Sequence, residues 1–248
     1  MQTRSISPGV RDTPRMLVSP GDVFRRIGES GRYGWALGAV VLISTLVGWT
    51  TVQTGLIDRE VDRRTRQALA DLEREQTDLL KRTELSERME AIRKSAEFTK
   101  LIARGGAVLA APAALAASLM ILAALLFAVV ALTGQKPEYA VLIAVCVYSA
   151  VVDVLAEVVR LAMRLSYRTL DVDTSLSVLV PYSEGTRTLK LILSGIDPFR
   201  VWFWVLVALG LIVTGQLSRR AAMVTCTVFG LIAAGVRIIP MPVHWPSG

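Results

Sequence analysis

The stretch YAVLIAVCVYSAVVDVLAEVVRLAMRL, from Tyr139 to Leu165, decides the fold. A bilayer crossing takes about 20 predominantly apolar residues, and this run exceeds that length. It nevertheless carries Asp153, Glu157, Arg160 and Arg164 at i, i+4, i+7 and i+11, which a helix lines up along one side. Unpaired charge is costly in lipid, so the stripe must neutralise itself, meet a lipid or protein partner, or serve an ion or proton path. The first reading is a ladder within one helix, since Asp153, Glu157 and Arg160 are each about one turn apart. Arg160 and Arg164 could instead snorkel to headgroups, and Arg237, near the end of the last apolar run, could reach across to Asp153.

The whole chain fits this setting. Its 248 residues are 52% hydrophobic, and the mean hydropathy of +0.48 is too apolar for an ordinary soluble domain. The charged residues are partitioned into blocks. Residues 58–104 hold 12 Lys/Arg and 11 Asp/Glu, whereas 105–133 hold no ionisable side chain. The net charge of +7 raises the question of nucleic acid, but basic residues beside apolar spans are membrane-surface features, and no nucleic-acid partner is expected. Cys146 and Cys226 sit inside apolar runs without metal or disulfide spacing and read as inert core thiols.

These blocks predict an all-α polytopic membrane protein with five transmembrane helices and a charged extramembrane helical hairpin between the first two. Span 1 covers 33–57, with Tyr33, Trp35 and Trp49 as interfacial rings. A cleaved signal peptide is rejected, because the run follows a 32-residue tail and ends without a small-x-small site. Span 2 covers 105–133 and is rich in alanine. Gly106, Ala110 and Ala114, with Ala113 and Ala117, offer small-xxx-small faces for close helix contact, which predicts a central place in the bundle, and Pro112 predicts a kink. Span 3 covers 138–165, span 4 200–217 and span 5 220–240, with a tail at 241–248. Asp197-Pro198 reads as an N-cap followed by proline at the first helical position, and Pro240-Met241-Pro242 closes span 5.

Two segments are neither span nor hairpin. Residues 166–199 are too interrupted to cross, and read as loop with a short interfacial or re-entrant helix. Within the 1–32 tail, Ser19-Pro20-Gly21-Asp22 has capping-box spacing. After it, Val23, Phe24 and Ile27 separate from Arg25 and Arg26, as in a short helix lying on anionic lipid. Before Val18 the tail reads as disordered.

In the insert, Ile57, Val61, Ala68, Leu72 and Leu79, then Leu85, Met89, Ile92 and Ala96, recur at helical spacing on a thin stripe. Lys81-Arg82-Thr83-Glu84 is the break, with Thr83 or Ser86 capping the second arm. Two arms, each about 30 Å long at 1.5 Å per residue, form a hairpin. It is either a solvated structure laced with ion pairs or a docking surface for a membrane-protein partner or a second copy.

The order of these features resembles the Yip family, five-span membrane proteins named for interaction with Rab-like Ypt GTPases and with many bacterial members. Ser19, Pro20, Val23 and Phe24 are similar to its N-terminal SP-x-x-VF stretch, and Val147-Tyr148-Ser149-Ala150 falls in span 3. Asp197, Phe199 and Trp202, leading to Ala208-Leu209-Gly210-Leu211, are similar to its D-x-F-x-x-W start of span 4. The resemblance covers nearly the whole chain. It implies an all-helical fold, a cytosolic N-terminus and no known catalysis, and in eukaryotes vesicle-traffic partners. The charged insert and charged span 3 depart from that pattern. Abundant Ala and the preference for Arg over Lys suggest a GC-rich bacterium, hence the inner membrane.

Orientation signals conflict. Six arginines before Tyr33, with Arg219-Arg220, favour an N-terminus inside, whereas the 12 basic residues of 58–104 favour the reverse; the near neutrality of that long insert decides for N-inside. Catalysis is not expected. The single histidine, His244, lies in the tail, so neither a histidine-bearing zinc motif nor a Ser-His pair can form in the membrane, and no phosphate-binding glycine loop occurs. No metal or cofactor is expected. Two functions remain: a non-enzymatic scaffold or accessory subunit of a membrane complex for export or trafficking, and a small solute, ion or proton transporter using the span 3 charges.

Overall fold

The computed structural model describes residues 15–75, 82–170, 172–180 and 187–238. The tail before residue 15, the break at Lys81, the Arg237 side chain, the Pro240-Met241-Pro242 stop and His244 lie outside the described residues, whereas Thr83 and Ser86, expected as caps, fall inside the helix Arg82–Gly105. Every regular element among the described residues is helical. In order these are α1 (Pro20–Ser30), α2 (Gly34–Gln53), α3 (Leu56–Glu75), α4 (Arg82–Gly105), a wide π turn (Gly106–Ala110) and α5 (Ala111–Leu132). There follow α6 (Tyr139–Ser149), α7 (Val151–Tyr167), a 3₁₀ turn (Leu176–Leu179), α8 (Arg187–Ser194), α9 (Pro198–Val213) and α10 (Arg219–Ile238).

Among the described residues four helical stretches are long and apolar enough to cross a membrane: Gly34–Gln53, Ser86–Leu132, Tyr139–Tyr167 and Arg219–Val236. The expected fourth span is shorter than 200–217. At 16 residues α9 reaches about 24 Å, and only together with α8, from which it bends by 41°, does it pass as a crossing. The count is four crossings with the α8–α9 pair as a re-entrant loop, or five with it as a broken span. The protein is an all-α polytopic membrane protein.

The chain divides into two compact units. The first contains residues 1–40, 116–160 and 173–248. Its centre is α6, where every residue from Val141 to Ser149 is buried. Span 2, not span 3, was expected at the centre, yet 78% of the span 3 window is buried against 22% for span 2. The branched side chains of α6 fill interhelical space that an alanine surface cannot.

Helix α1 packs on α6 and α9, with Val23, Phe24 and Ile27 fully buried. The apolar face expected on lipid is thus covered by protein. Pro20 stands in the first turn as expected, but Ser19 makes no side-chain cap bond, so the capping box does not form. Gly28 lies 3.5 Å from Thr214 and Gly31 3.3 Å from Ala140, measured from an ideal Cβ, so α1 closes over the ends of α9 and α6. Helices α9 and α10 form a hairpin in which Trp204 stacks on Phe229 at 6.2 Å and 9° and rests on Gly230.

The second unit contains residues 41–115 and 161–172. Gly55, at φ +66°, stands at the break between α2 and α3 in a conformation that favours glycine. Gly48 of α2 meets the Ala107 carbonyl so closely that no Cβ fits. Ala107 sits in the π turn, where the Ala111 N–H reaches back to the Gly106 carbonyl. Pro112 follows at once. Its ring would collide with the Val108 carbonyl in a regular helix, and widening the preceding turn relieves that clash. The expected kink is therefore a local π turn within one continuous helix from Ser86 to Leu132.

Helices α3 and α4 lie against each other as the expected hairpin. Arg104 bonds Asp58 through two contacts, 3.0 and 2.6 Å, and Lys100 bonds Asp62 at 2.8 Å. Ile57 and Ala96 are buried and Val61, Leu72, Met89 and Ile92 half-buried, as the stripe requires. Ala68 is exposed and Leu69 takes its place; Leu79 lies outside the described residues.

Candidate functional site

The charged stripe of span 3 is placed on α7. Its Arg160 donates from Nη2 to Asp197 Oδ2 at 2.9 Å and from Nε to Thr174 Oγ1 at 3.2 Å. Asp153 receives Arg200 Nη1 at 3.5 Å. Both pairs cross from α7 to the start of α9. The ladder expected along one helix is therefore replaced, for Arg160 and Asp153, by cross-helix pairing. A guanidinium fork meets a carboxylate best when the partner faces it from another element, as the α9 N-terminus does here. Glu157 is half-buried and makes no hydrogen bond or ion pair among the described residues. Arg164, one turn beyond Arg160, is half-buried.

Asp197 is the hub. Its Oδ1 accepts the Phe199 N–H at 2.9 Å, so the N-cap read from Asp197-Pro198 forms. Its Oδ2 accepts Arg160 and, at 3.2 Å, the Thr174 hydroxyl. The residue is only 3% exposed, so each of these contacts replaces water that burial has removed.

Beside it stands a serine-lined turn that sequence reasoning passed over. Asp173 accepts the Ser175 N–H at 2.8 Å and the Ser175 hydroxyl at 2.7 Å, and the Ser177 hydroxyl closes the loop at 2.5 Å. Burial pushes the Asp173 carboxyl up, but these hydrogen bonds and the Arg160 charge outweigh it and hold the group below its usual range. Leu176 N–H bonds the Ile196 carbonyl at 3.0 Å and ties this turn to the bend before α9. The run Asp173-Thr174-Ser175 has the composition of a side-chain-stabilised turn, and that was the available signal. Arg200 also lies 5.9 Å from the centre of the Phe203 ring.

The remaining residues singled out in sequence separate widely. Val23 and Phe24 are core residues of α1, Asp197 and Phe199 open α9, and Trp202 borders the exposed side of α9 at 36% exposure. Of the small-residue faces, Ala110, Ala113, Ala114 and Ala117 are exposed and Gly106 has nothing within 4 Å of a Cβ position. They do not form the close contact expected of them. The buried side of α5 is Pro112, Leu119, Ala123, Leu126 and Val130, and the close approach falls to Ala107. Cys146 and Cys226 are free and buried. Among the described residues no group of three His, Cys, Asp or Glu could hold a metal ion.

Apolar helices of crossing length, an N-terminal helix closing over one end of its unit, and a half-buried arginine neutralised by the cap of the following helix define a polytopic integral membrane protein. The Yip1 domain family matches residues 15–239, and the chain belongs to that family. No curated protein and no solved structure matches it. It is a membrane protein of the Yip type, in contact with the lipid bilayer through its spans.

Proposed function

We propose that the chain is a non-enzymatic membrane scaffold or accessory subunit of an export or trafficking complex, presenting the α3–α4 hairpin to another membrane protein or a second copy of itself. The hairpin carries this reading. Its own interface occupies one narrow stripe, while Phe98, Leu101 and Ile102 point outward from α4 at 64, 67 and 56% exposure. So little mutual burial leaves two long helices short of independent stability, and a partner covering the outer face would supply the rest. The charge cluster around Asp197 supports a structural role for span 3, because its pairs neutralise the half-buried Arg160. Affinity purification of the full chain and of a chain lacking residues 60–102 tests the proposal. A membrane partner recovered only with the hairpin supports it, and an identical set from both rejects it.

In this reading the N-terminus is cytoplasmic, which the arginines before Tyr33 and Arg219-Arg220 support. Reporter fusions at position 83 and at the C-terminus, reading opposite to the N-terminus, test this. One observation favours a second reading, a small solute, ion or proton transporter: Glu157 is half-buried in a span without a partner among the described residues. Flux into reconstituted vesicles that Glu157→Gln abolishes would move the assignment there.

A further inference from the structure

Within the second unit, the ends of two spans come together around a small open cavity of about 220 Å³, lined by Thr54, Leu56, Arg59, Leu165 and Arg168. Thr54 and Arg59 follow the last residue of α2, and Arg168 follows the last residue of α7. Spans 1 and 3 are separated by one crossing, so they run in the same direction and their C-terminal ends reach the same membrane surface. Tyr167, 70% exposed beside Arg168, is the ring expected at such a boundary.

The charge in this cavity is one-sided. Arg59 and Arg168 are both exposed, and their guanidiniums make no hydrogen bond or ion pair among the described residues. The carboxylates flanking Arg59 in sequence are engaged elsewhere: Asp58 by Arg104, and Glu60 by Arg63 and Arg64. The Arg63 hydrogen bond holds the Glu60 carboxyl below its usual range, so that group stays charged and committed. No acidic residue lines the cavity. The Thr54 hydroxyl donates to the Thr51 carbonyl at 2.9 Å, which leaves recognition to the two guanidiniums.

The backbone adds a second observation. Arg168 has φ +53°, and no other non-glycine residue among those described has a positive φ. A left-handed conformation disfavours a residue with a Cβ, and glycine or asparagine would end α7 at lower cost. Strain of this kind persists where the side chain has a task, and here it directs a guanidinium into a cavity that already holds another.

We propose that Arg59 and Arg168 form a phosphate-binding site at the membrane surface, each guanidinium presenting its planar fork to phosphate oxygens. The phosphate of an anionic phospholipid headgroup has the chemistry and the location. Free phosphate shares the chemistry alone.

The full chain in neutral phosphatidylcholine nanodiscs, with and without phosphatidylglycerol, tests this by native mass spectrometry of retained lipid and by melting temperature, with inorganic phosphate as a separate arm. Wild type retains phosphatidylglycerol preferentially, and Arg59→Gln with Arg168→Asn lowers that preference about tenfold, as loss of charge-assisted contacts predicts. Stabilisation by phosphatidylglycerol alone identifies a lipid headgroup; stabilisation by inorganic phosphate that the double variant loses identifies a free anion. Arg168→Gly separates binding from folding, because it relieves the backbone: its melting temperature in neutral discs holds or rises while phosphatidylglycerol retention falls. Retention and phosphate response unchanged in the double variant, or a wild type indifferent to both ligands, overturns the proposal.

Discussion

Phe24 of α1 rests on Gly210 of α9, so closely that a Cβ at position 210 would come 2.9 Å from Phe24 Cε1 and 2.5 Å from Val145 Cγ1. This contact fastens the N-terminal helix to the membrane bundle. Phe24→Ala empties a fully buried aromatic site and should cost about 3 kcal/mol. Gly210→Val should expel the ring, and both variants should render α1 sensitive to limited proteolysis in detergent while wild type resists.

Arg160 and Asp197 share a pair in which the side chains are 23% and 4% exposed. Asp197→Ala removes the carboxylate and the α9 cap together, and should destabilise by about 3 kcal/mol, most of it from the stranded guanidinium. Adding Arg160→Met should return a large part of that loss. A double-mutant cycle by thermal melting checks the coupling, and additive single effects would contradict it.

The carbonyl of Ala107 occupies the space a side chain at position 48 would need. Gly48→Ala should therefore separate α2 from the π turn and cost about 1–3 kcal/mol, an overpacking penalty. Gly38, with nothing within 4 Å, is the control, and Gly38→Ala should leave the melting temperature unchanged or raised.

The hairpin bonds Arg104–Asp58 and Lys100–Asp62 are solvent-accessible. The Asp58 hydrogen bond raises the Arg104 pKa and the Asp62 hydrogen bond raises that of Lys100, so their contribution is complete at neutral pH and lost only in strong alkali. Salt is the practical probe. Asp58→Asn with Asp62→Asn should loosen α3 from α4 at low ionic strength, a difference that spin-label distances across the hairpin would show shrinking as salt rises.

Acid should release the turn around Asp173. Its folded-state pKa lies below the unfolded value of about 3.9, so its contribution is present above that pH and disappears as pH falls through the lower folded value. Hydrogen-exchange protection at Ser175 and Ser177, taken relative to the intrinsic rate at each pH, should fall over that window. In Asp173→Asn the exchange should be fast already at neutral pH.

Much of the fold was legible because it follows from local periodicity. Apolar runs marked the membrane helices, Asp197-Pro198 marked the start of α9, and the stripe from Ile57 to Ala96 marked the hairpin. What escaped depends on distance along the chain. Helical spacing offered Glu157 as the partner for Arg160, whereas the actual carboxylate is 37 residues away, and no period encodes that reach. The alanines of span 2 promised close packing, but small size permits an approach without specifying a partner, and the contact went to Ala107 through a π turn. Val23, Phe24 and Ile27 had the pattern of a lipid-facing helix because an apolar stripe reads the same whether hydrocarbon or protein covers it.

The 37-residue gap also imposes an order on biosynthesis. When Arg160 leaves the ribosome, the hydroxyl of Thr174 and the carboxylate of Asp197 have yet to emerge. The third crossing therefore gains its neutralising partner only when the start of the next helix emerges. Its insertion is completed by the nascent chain that follows it.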